Sequence, residues 1–238
     1  MTAQSPHPEP VEGRARASTD VPIRAALFDL DGTLVDSLPT IAACMVEAVR
    51  GHGLEATAED IIPLIGAPMN ILVQEIYGVS DELAERIYQD YLRLYHHGFI
   101  QRTPAHPGAD ALVRALHAAG LPLAVVTNKS EEGGRLMVAT QGWDGLFRVV
   151  SGRDTSEPKP HPEAALSALR RLDVPAAAAA LIGDTEFDMN CGRDAGLPVV
   201  VGLTGSRDAA RLRAEGATHI VDTLAEVAPL LLGTRVLP

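Results

Sequence analysis

Residues 28–37 read FDLDGTLVDS and directly follow the apolar run Ile23 to Phe28. An apolar run without strict alternation suits a parallel strand covered on both faces. In open α/β sheets, ligands sit beyond the carboxyl ends of such strands. Residues i and i+2 of an extended segment point the same way, so Asp29 and Asp31 are expected to project together. Gly32 permits a tight turn, and the N–H groups near Gly32 and Thr33 are candidates for an anion-binding concavity. Two like charges in a desolvated place raise each other's pKa, and something must offset that cost. A calcium loop of the EF-hand kind is excluded, because Leu34 and Thr40 stand where that loop needs Gly and Glu. Taken alone, the stretch also fits a turn whose Asp side chains only hydrogen-bond the backbone.

Four further apolar runs recur: Leu121 to Val126, Phe147 to Val150, Ala179 to Ile182 and Leu197 to Val201. Helical patterns lie between them. HPGADALVRALHAAG (106–120) places Leu112, Leu116 and Ala119 on one face and stops at Gly120, and HPEAALSALRRLD (161–173) does the same with Leu166, Leu169 and Leu172. Strands alternating with helices predict an α/β fold with a parallel sheet and right-handed crossovers. Ala176 to Ala180 reads as a turn passing into a strand.

After Asp36 no strand-like run appears until Leu121. Residues 37–103 read instead as an all-helical insertion. Ser37 is a candidate cap for a helix carrying Ile41, Met45, Val46 and Val49 that ends near Gly51 and Gly53. DELAERIYQDYLRLYHHG (81–98) is a second helix, with Leu83, Ile87, Tyr91 and Leu94 on one stripe. The expected organisation is a tail over 1–20, disordered by composition, an α/β core over 21–36 and 104–238, and a helical cap over 37–103. The chain crossings near 36–38 and 102–108 are the candidate hinges.

The 238 residues are 46% hydrophobic and 21% charged, which predicts a globular, soluble protein with a sizeable core. A net charge of −11 argues against nucleic acid or an anionic membrane surface as partner. The cap alone carries four Arg against nine Asp or Glu and no Lys, a formal charge of −5. Two Cys and no CxxC pattern fit a reducing cytoplasm. No apolar segment approaches a membrane span, and the N-terminus lacks a signal-peptide core. The two lysines, Lys129 and Lys159, are the only candidates for an ammonium role.

Asp184 ends another apolar run in LIGDTEFD, and Asp188 follows four residues on. Each alone could serve as a helix cap or first-turn anion. With Asp29 and Asp31 they form an oxygen-rich set suited to Mg²⁺, which takes carboxylates, waters and a substrate phosphate. In VVTNK, Thr127 offers a hydroxyl beside the N–H groups of Asn128 and Lys129; helix capping is the competing role. In SEPKPHPE, Lys159 stands between two prolines, a rigid placement for a positive charge. Lys129 is expected to be solvated at a helix start. His161 is expected to begin a helix, His106 to belong to a linker and Cys191 to pack in the core.

These four elements, in this order, resemble the haloacid dehalogenase superfamily: DLDGTLVDS, the Thr of VVTNK, the Lys of EPKPHPE and GDTEFD. The likeness spans 23 to about 205, and the helical insertion is similar to the C1 cap of the bacterial phosphoglycolate phosphatase group. The resemblance implies a Rossmann-like core and a Mg²⁺-dependent phosphatase acting on a small phosphorylated metabolite. It further implies that Asp29 is the nucleophile and Asp31 the general acid and base. Asp29, the Asp31 carbonyl and Asp184 would hold Mg²⁺, with Asp188 in support. Thr127, Asn128 and Lys159 would bind the phosphate. No oligomeric state follows from it.

Asp at position 31 argues against a dehalogenase, which resembles this chain except for that second Asp. The absence of Lys from 37–103 argues against a Schiff-base phosphonatase. A β-phosphoglucomutase-like enzyme is disfavoured because IGAPMN (65–70) has no basic residue where such enzymes resemble one another in carrying one. A pyrophosphatase of the same architecture stays open, and a non-catalytic phosphate-binding module is disfavoured because every chemical group is retained.

Overall fold

In a computed structural model, residues 22–62, 65 and 69–233 are described; the 1–20 tail and residues 66–68 of IGAPMN lie outside them. Six parallel strands form one sheet: β1 (Ala25–Phe28), β2 (Leu123–Val126), β3 (Phe147–Ser151), β4 (Ala179–Gly183), β5 (Val199–Leu203) and β6 (His219–Val221). Their order is β3-β2-β1-β4-β5-β6. β1 therefore lies between β2 and β4, where the chain order reverses, and this is where an open sheet parts its crossovers to leave a crevice. Phe28 pairs with Ile182 across β1 and β4, and the Asp29 N–H donates to the Ile182 carbonyl at 2.9 Å. The two acid-bearing strand ends are thus adjacent.

The continuous apolar runs are explained by burial on both faces. Ala26 and Phe28 of β1 enter one core with Leu112, Val113 and Leu116 of α5 (Ala109–Ala118). Ala25 and Leu27 enter the other with Ala165, Ala168, Leu169 and Leu172 of α7 (Glu163–Leu172) and Met189 and Cys191 of α8 (Glu186–Asp194). Gly120, at φ +72°, ends the turn after α5. Cys191 packs in the core as expected. The short 3₁₀ turn Ala176–Ala178 runs into β4, matching the turn-then-strand reading.

β6 escaped the sequence pattern because it has three residues, two of them only half-buried, at the sheet's edge. Its strand signal is too short for periodicity to register.

Between β1 and α5 the named elements are helical: α1 (Leu38–Gly51), α2 (Ala58–Ile61), α3 (Met69–Tyr77) and α4 (Asp81–Leu94). A π turn (Tyr95–Phe99) and a 3₁₀ turn (Ile100–Arg102) follow α4. Tyr88, Tyr91 and Tyr95 stack along one stripe of α4 and its π turn, with centroids 6.3 and 5.5 Å apart. Ile87 and Tyr91 are buried as the stripe predicted, while Leu83 and Leu94 are only partly buried. Ser37 stands before α1, but its hydroxyl makes no cap bond: its backbone is helical rather than extended, so the side chain does not face the free N–H groups.

The two crossings between sheet and helices are paired to each other. The Asp36 N–H donates to the Pro104 carbonyl at 3.0 Å, the His106 N–H to the Leu34 carbonyl at 2.9 Å, and Val35 bridges Ala105. Among the described residues, no helix is long and apolar enough to cross a membrane.

Leu27 is fully buried at the centre of the sheet. Leu27→Ala is expected to lower the unfolding free energy by about 2–5 kcal/mol, because the surrounding helices cannot collapse onto the lost volume. Urea melts followed by circular dichroism measure this, and an unchanged midpoint would contradict the two-faced packing.

Candidate active site

Asp29 is the first residue after β1, and Asp184 the first after β4. Asp188 lies one turn into α8, where its Oδ2 accepts from the Thr185 N–H at 3.1 Å and the Thr185 hydroxyl at 2.7 Å. This reciprocal cap ties Asp188 to the helix start. Oxygens of Asp29, Asp184 and Asp188 all lie within 4.8 Å of one another, and all three residues are buried. The Lys159 ammonium sits against this group, 2.5 Å from Asp29 Oδ1 and 2.6 Å from Asp188 Oδ1, with its side chain only 3% exposed.

Lys159 is delivered by the β3–α7 loop. Asn128 brackets its backbone: Lys159 N–H donates to Asn128 Oδ1 at 2.9 Å, and Asn128 Nδ2 donates to the Lys159 carbonyl at 3.1 Å. Sequence reasoning placed Asn128 and Lys159 in one site, and the structure joins them directly. Thr127 is the first residue after β2, is buried, and its Oγ1 accepts from the Lys129 N–H at 3.1 Å.

Burial holds the Asp29 carboxyl well above the usual carboxylate range; Lys159 opposes this, while Asp188, Asp184 and Asp31 add to it. Burial and Asp188 push Asp184 up to about 6. Burial alone would lower the Lys159 pKa, but Asp188 and Asp29 hold the ammonium above its ordinary range. Three buried carboxylates thus face one buried ammonium. The site's donors are hard carboxylate oxygens, which fit Mg²⁺ and not a soft metal.

Two sequence expectations need correction. Lys129 is not solvated: its side chain is 15% exposed, its Nζ lies 3.2 Å from Asp31 Oδ2, and it stands 4.6 Å above the centre of the Tyr95 ring. A local helix-start context could not reveal this, because both partners are distant in sequence. The Gly32 N–H is also not free for an anion, since it donates to the Val35 carbonyl at 2.9 Å and closes the turn. Gly32 has φ +88°, and a Cβ there would lie 2.5 Å from Asp184 Oδ2, so the turn needs glycine for both conformation and space.

Thr33 was undervalued. Its hydroxyl donates to Asp184 Oδ1 at 2.8 Å and stands 3.4 Å from Asp29 Oδ2, linking the two strand ends. Its position two residues after Asp31 is the sequence signal that points to it. His161 precedes α7 and His106 lies in the paired crossing, so neither joins the site.

Asp29, Asp31, Thr127, Asn128, Lys129, Lys159 and Asp184 open into one cavity of about 360 Å³. Its far wall is formed by the helices between β1 and α5, through Leu38, Ile41, Tyr88, Tyr91, Leu92 and Tyr95. Arg153 of the core closes one side, its guanidinium donating to the Tyr88 hydroxyl. The arrangement can hold a small anion against the sheet and cover it with an apolar roof.

Comparison with known proteins agrees with this geometry. Residues 26–201 match the family model described as haloacid dehalogenase-like hydrolase. A phosphoglycolate phosphatase of Xanthomonas campestris is 33% identical over 187 residues, 77% of this chain and 85% of that protein. A plasmid-borne phosphoglycolate phosphatase of Cupriavidus necator is 31% identical over 229 residues, 93% of this chain and 99% of its own length. A crystal structure from Haemophilus somnus, titled a predicted phosphoglycolate phosphatase, is similar with TM-score 0.80 and 25% identity, covering 87% of this chain and 97% of that one. The family match runs through every strand-end group from Asp29 to Asp188, and the chain belongs to the haloacid dehalogenase-like hydrolase family.

Proposed function

We propose that this protein is a Mg²⁺-dependent phosphatase that hydrolyses a small phosphomonoester through an aspartyl phosphate on Asp29, with 2-phosphoglycolate the leading substrate. One observation carries the reading. Three buried carboxylates crowd around a single ammonium at the end of β1 and β4, in a cavity roofed by the cap. Such a cluster is costly unless a cation and a substrate anion complete it.

Asp29, the Asp31 backbone carbonyl and Asp184 would hold the metal, and Asp188 supports them by fixing Lys159 and the start of α8. Mg²⁺ bound there supplies positive charge that keeps Asp29 ionised and draws electron density from the phosphoryl group. The Asp29 carboxylate attacks phosphorus; the P–O bond to the leaving group breaks as the new P–O bond to Asp29 forms. Asp31 gives its proton to the departing alkoxide. It then takes a proton from the water that attacks the aspartyl phosphate, releasing inorganic phosphate and restoring Asp29. Lys159, the Thr127 hydroxyl and the Asn128 amide face the equatorial oxygens, where negative charge must be stabilised during transfer. Tyr88, Tyr91 and Tyr95 exclude bulk water from the first step while the cap is closed. The substrate reading is supported by the names of the Xanthomonas and Cupriavidus relatives and by the small cavity.

Phosphate release from a panel of 2-phosphoglycolate, sugar phosphates, nucleotides and pyrophosphate tests the substrate. Highest kcat/KM for 2-phosphoglycolate is the expected outcome; highest kcat/KM for pyrophosphate would favour the pyrophosphatase reading instead. Asp29→Asn is expected to keep the fold and lose turnover by orders of magnitude, measured as steady-state phosphate release; near wild-type turnover would end the covalent mechanism. Lys159→Ala removes the ammonium facing the transferring group and is expected to cost about 10²–10³ in kcat. Chelation is expected to abolish activity and Mg²⁺ to restore it. Mg²⁺ should also raise Tm of the wild type and not of Asp184→Asn, a readout independent of turnover.

A further inference from the structure

Lys129 belongs to none of the groups assigned above, yet four contacts hold it beside Asp31. Its Nζ pairs with Asp31 Oδ2 at 3.2 Å. Its backbone is held from both sides, the N–H donating to Thr127 Oγ1 at 3.1 Å and the carbonyl accepting from the Arg153 N–H at 2.9 Å. Its ammonium lies 4.6 Å above the Tyr95 ring, the last ring of the tyrosine stack on the cap. Asp31 Oδ1 is buried and has no hydrogen-bond partner among the described residues, and the Asp31 side chain lines the same cavity as Asp29. The two carboxyl oxygens are therefore inequivalent: one is occupied by a cation, the other is left without a protein partner.

We propose that Lys129 is a positioning residue for Asp31. Its ammonium takes Oδ2 and fixes the carboxyl plane against the cavity, and Tyr95 of the cap keeps the ammonium in place. A free lysine side chain holds one geometry poorly, since its four-carbon stem has many rotamers. An aromatic face over the cation removes much of that freedom and adds attraction. Cap opening withdraws Tyr95 from Lys129, so the acid–base group is set only while the site is covered. This assignment rests on Asp31 being the acid and base of the proposed mechanism.

The test compares kcat/KM, which reports steps through the first irreversible one, for three phosphate esters. 2-Phosphoglycolate has an alkyl leaving group with a carboxylate, glycerol 1-phosphate an alkyl leaving group without one, and p-nitrophenyl phosphate a leaving group that departs without a proton. Lys129→Met is expected to lose about 10–100-fold on both alkyl esters and less than about threefold on the aryl ester, a fraction of what general acid catalysis contributes. Lys129→Arg, which keeps a cation able to pair and stack, should recover most of the loss. Tyr95→Leu should show the same selectivity to a smaller degree. Thermal unfolding verifies that each variant is folded, and Lys129→Gln replaces Lys129→Met if the latter is not. Equal loss on all three esters, or no loss, would overturn the proposal. Loss confined to 2-phosphoglycolate would also overturn it, because Lys129 would then be reading the substrate carboxylate. Asp31→Asn is the reference. If it shows the alkyl-over-aryl selectivity and Lys129→Met does not, only the Lys129 assignment fails; if Asp31→Asn lacks it, the acid–base reading of Asp31 fails as well.

Discussion

The Lys159 ammonium wedged between Asp29 and Asp188 is the constraint around which the rest of the site is arranged. Buried charges survive only when paired and hydrogen-bonded, and breaking such a pair leaves an uncompensated ion in the interior. Each neighbouring feature serves that pairing. Asn128 clamps the Lys159 backbone, Thr185 holds the far oxygen of Asp188, and Thr33 joins Asp184 to the Asp29 turn. Gly183 makes the close approach possible, since a Cβ there would fall 2.3 Å from Asp188 Cγ. Burial first, and neighbouring acids second, hold the Asp29 and Asp184 carboxyls above their usual range.

The sheet order supplies the geometry for this cluster. Placing β4 beside β1 brings two acids separated by 155 positions to neighbouring strand ends, as the numbering of Asp29 and Asp184 shows. The cap completes the site from the opposite side and is coupled to the core by cations under aromatic rings: Lys129 beneath Tyr95 and Arg153 beside Tyr88. The paired crossings at 34–36 and 104–106 make the cap connection one two-stranded ribbon.

Much of the fold was legible because its signals are local. Runs of buried Val, Leu, Ile and Ala marked five strands, and Gly120 and the leucine spacing marked α5 and α7. Asp29, Asp184 and Thr127 were legible because each directly follows such a run. The failures had physical causes. β6 is too short and too half-buried to leave a pattern, and Ser37 was assigned a cap its helical backbone cannot make. Gly32 was credited with a free N–H that its own turn consumes.

The sequence alone determined the strand-and-helix alternation, the helical run after Asp36 and the acids and hydroxyl that stand at the strand ends, because apolar periodicity and side-chain chemistry are written residue by residue. Only the tertiary structure decided which lysine meets which acid. Lys159 stands 130 positions from Asp29 and 29 from Asp188, Lys129 stands 98 from Asp31, and nothing in their immediate neighbours separates a buried ammonium from a solvated one. The cost and the benefit of burying a charge depend on partners that come together only when the sheet and the cap are assembled.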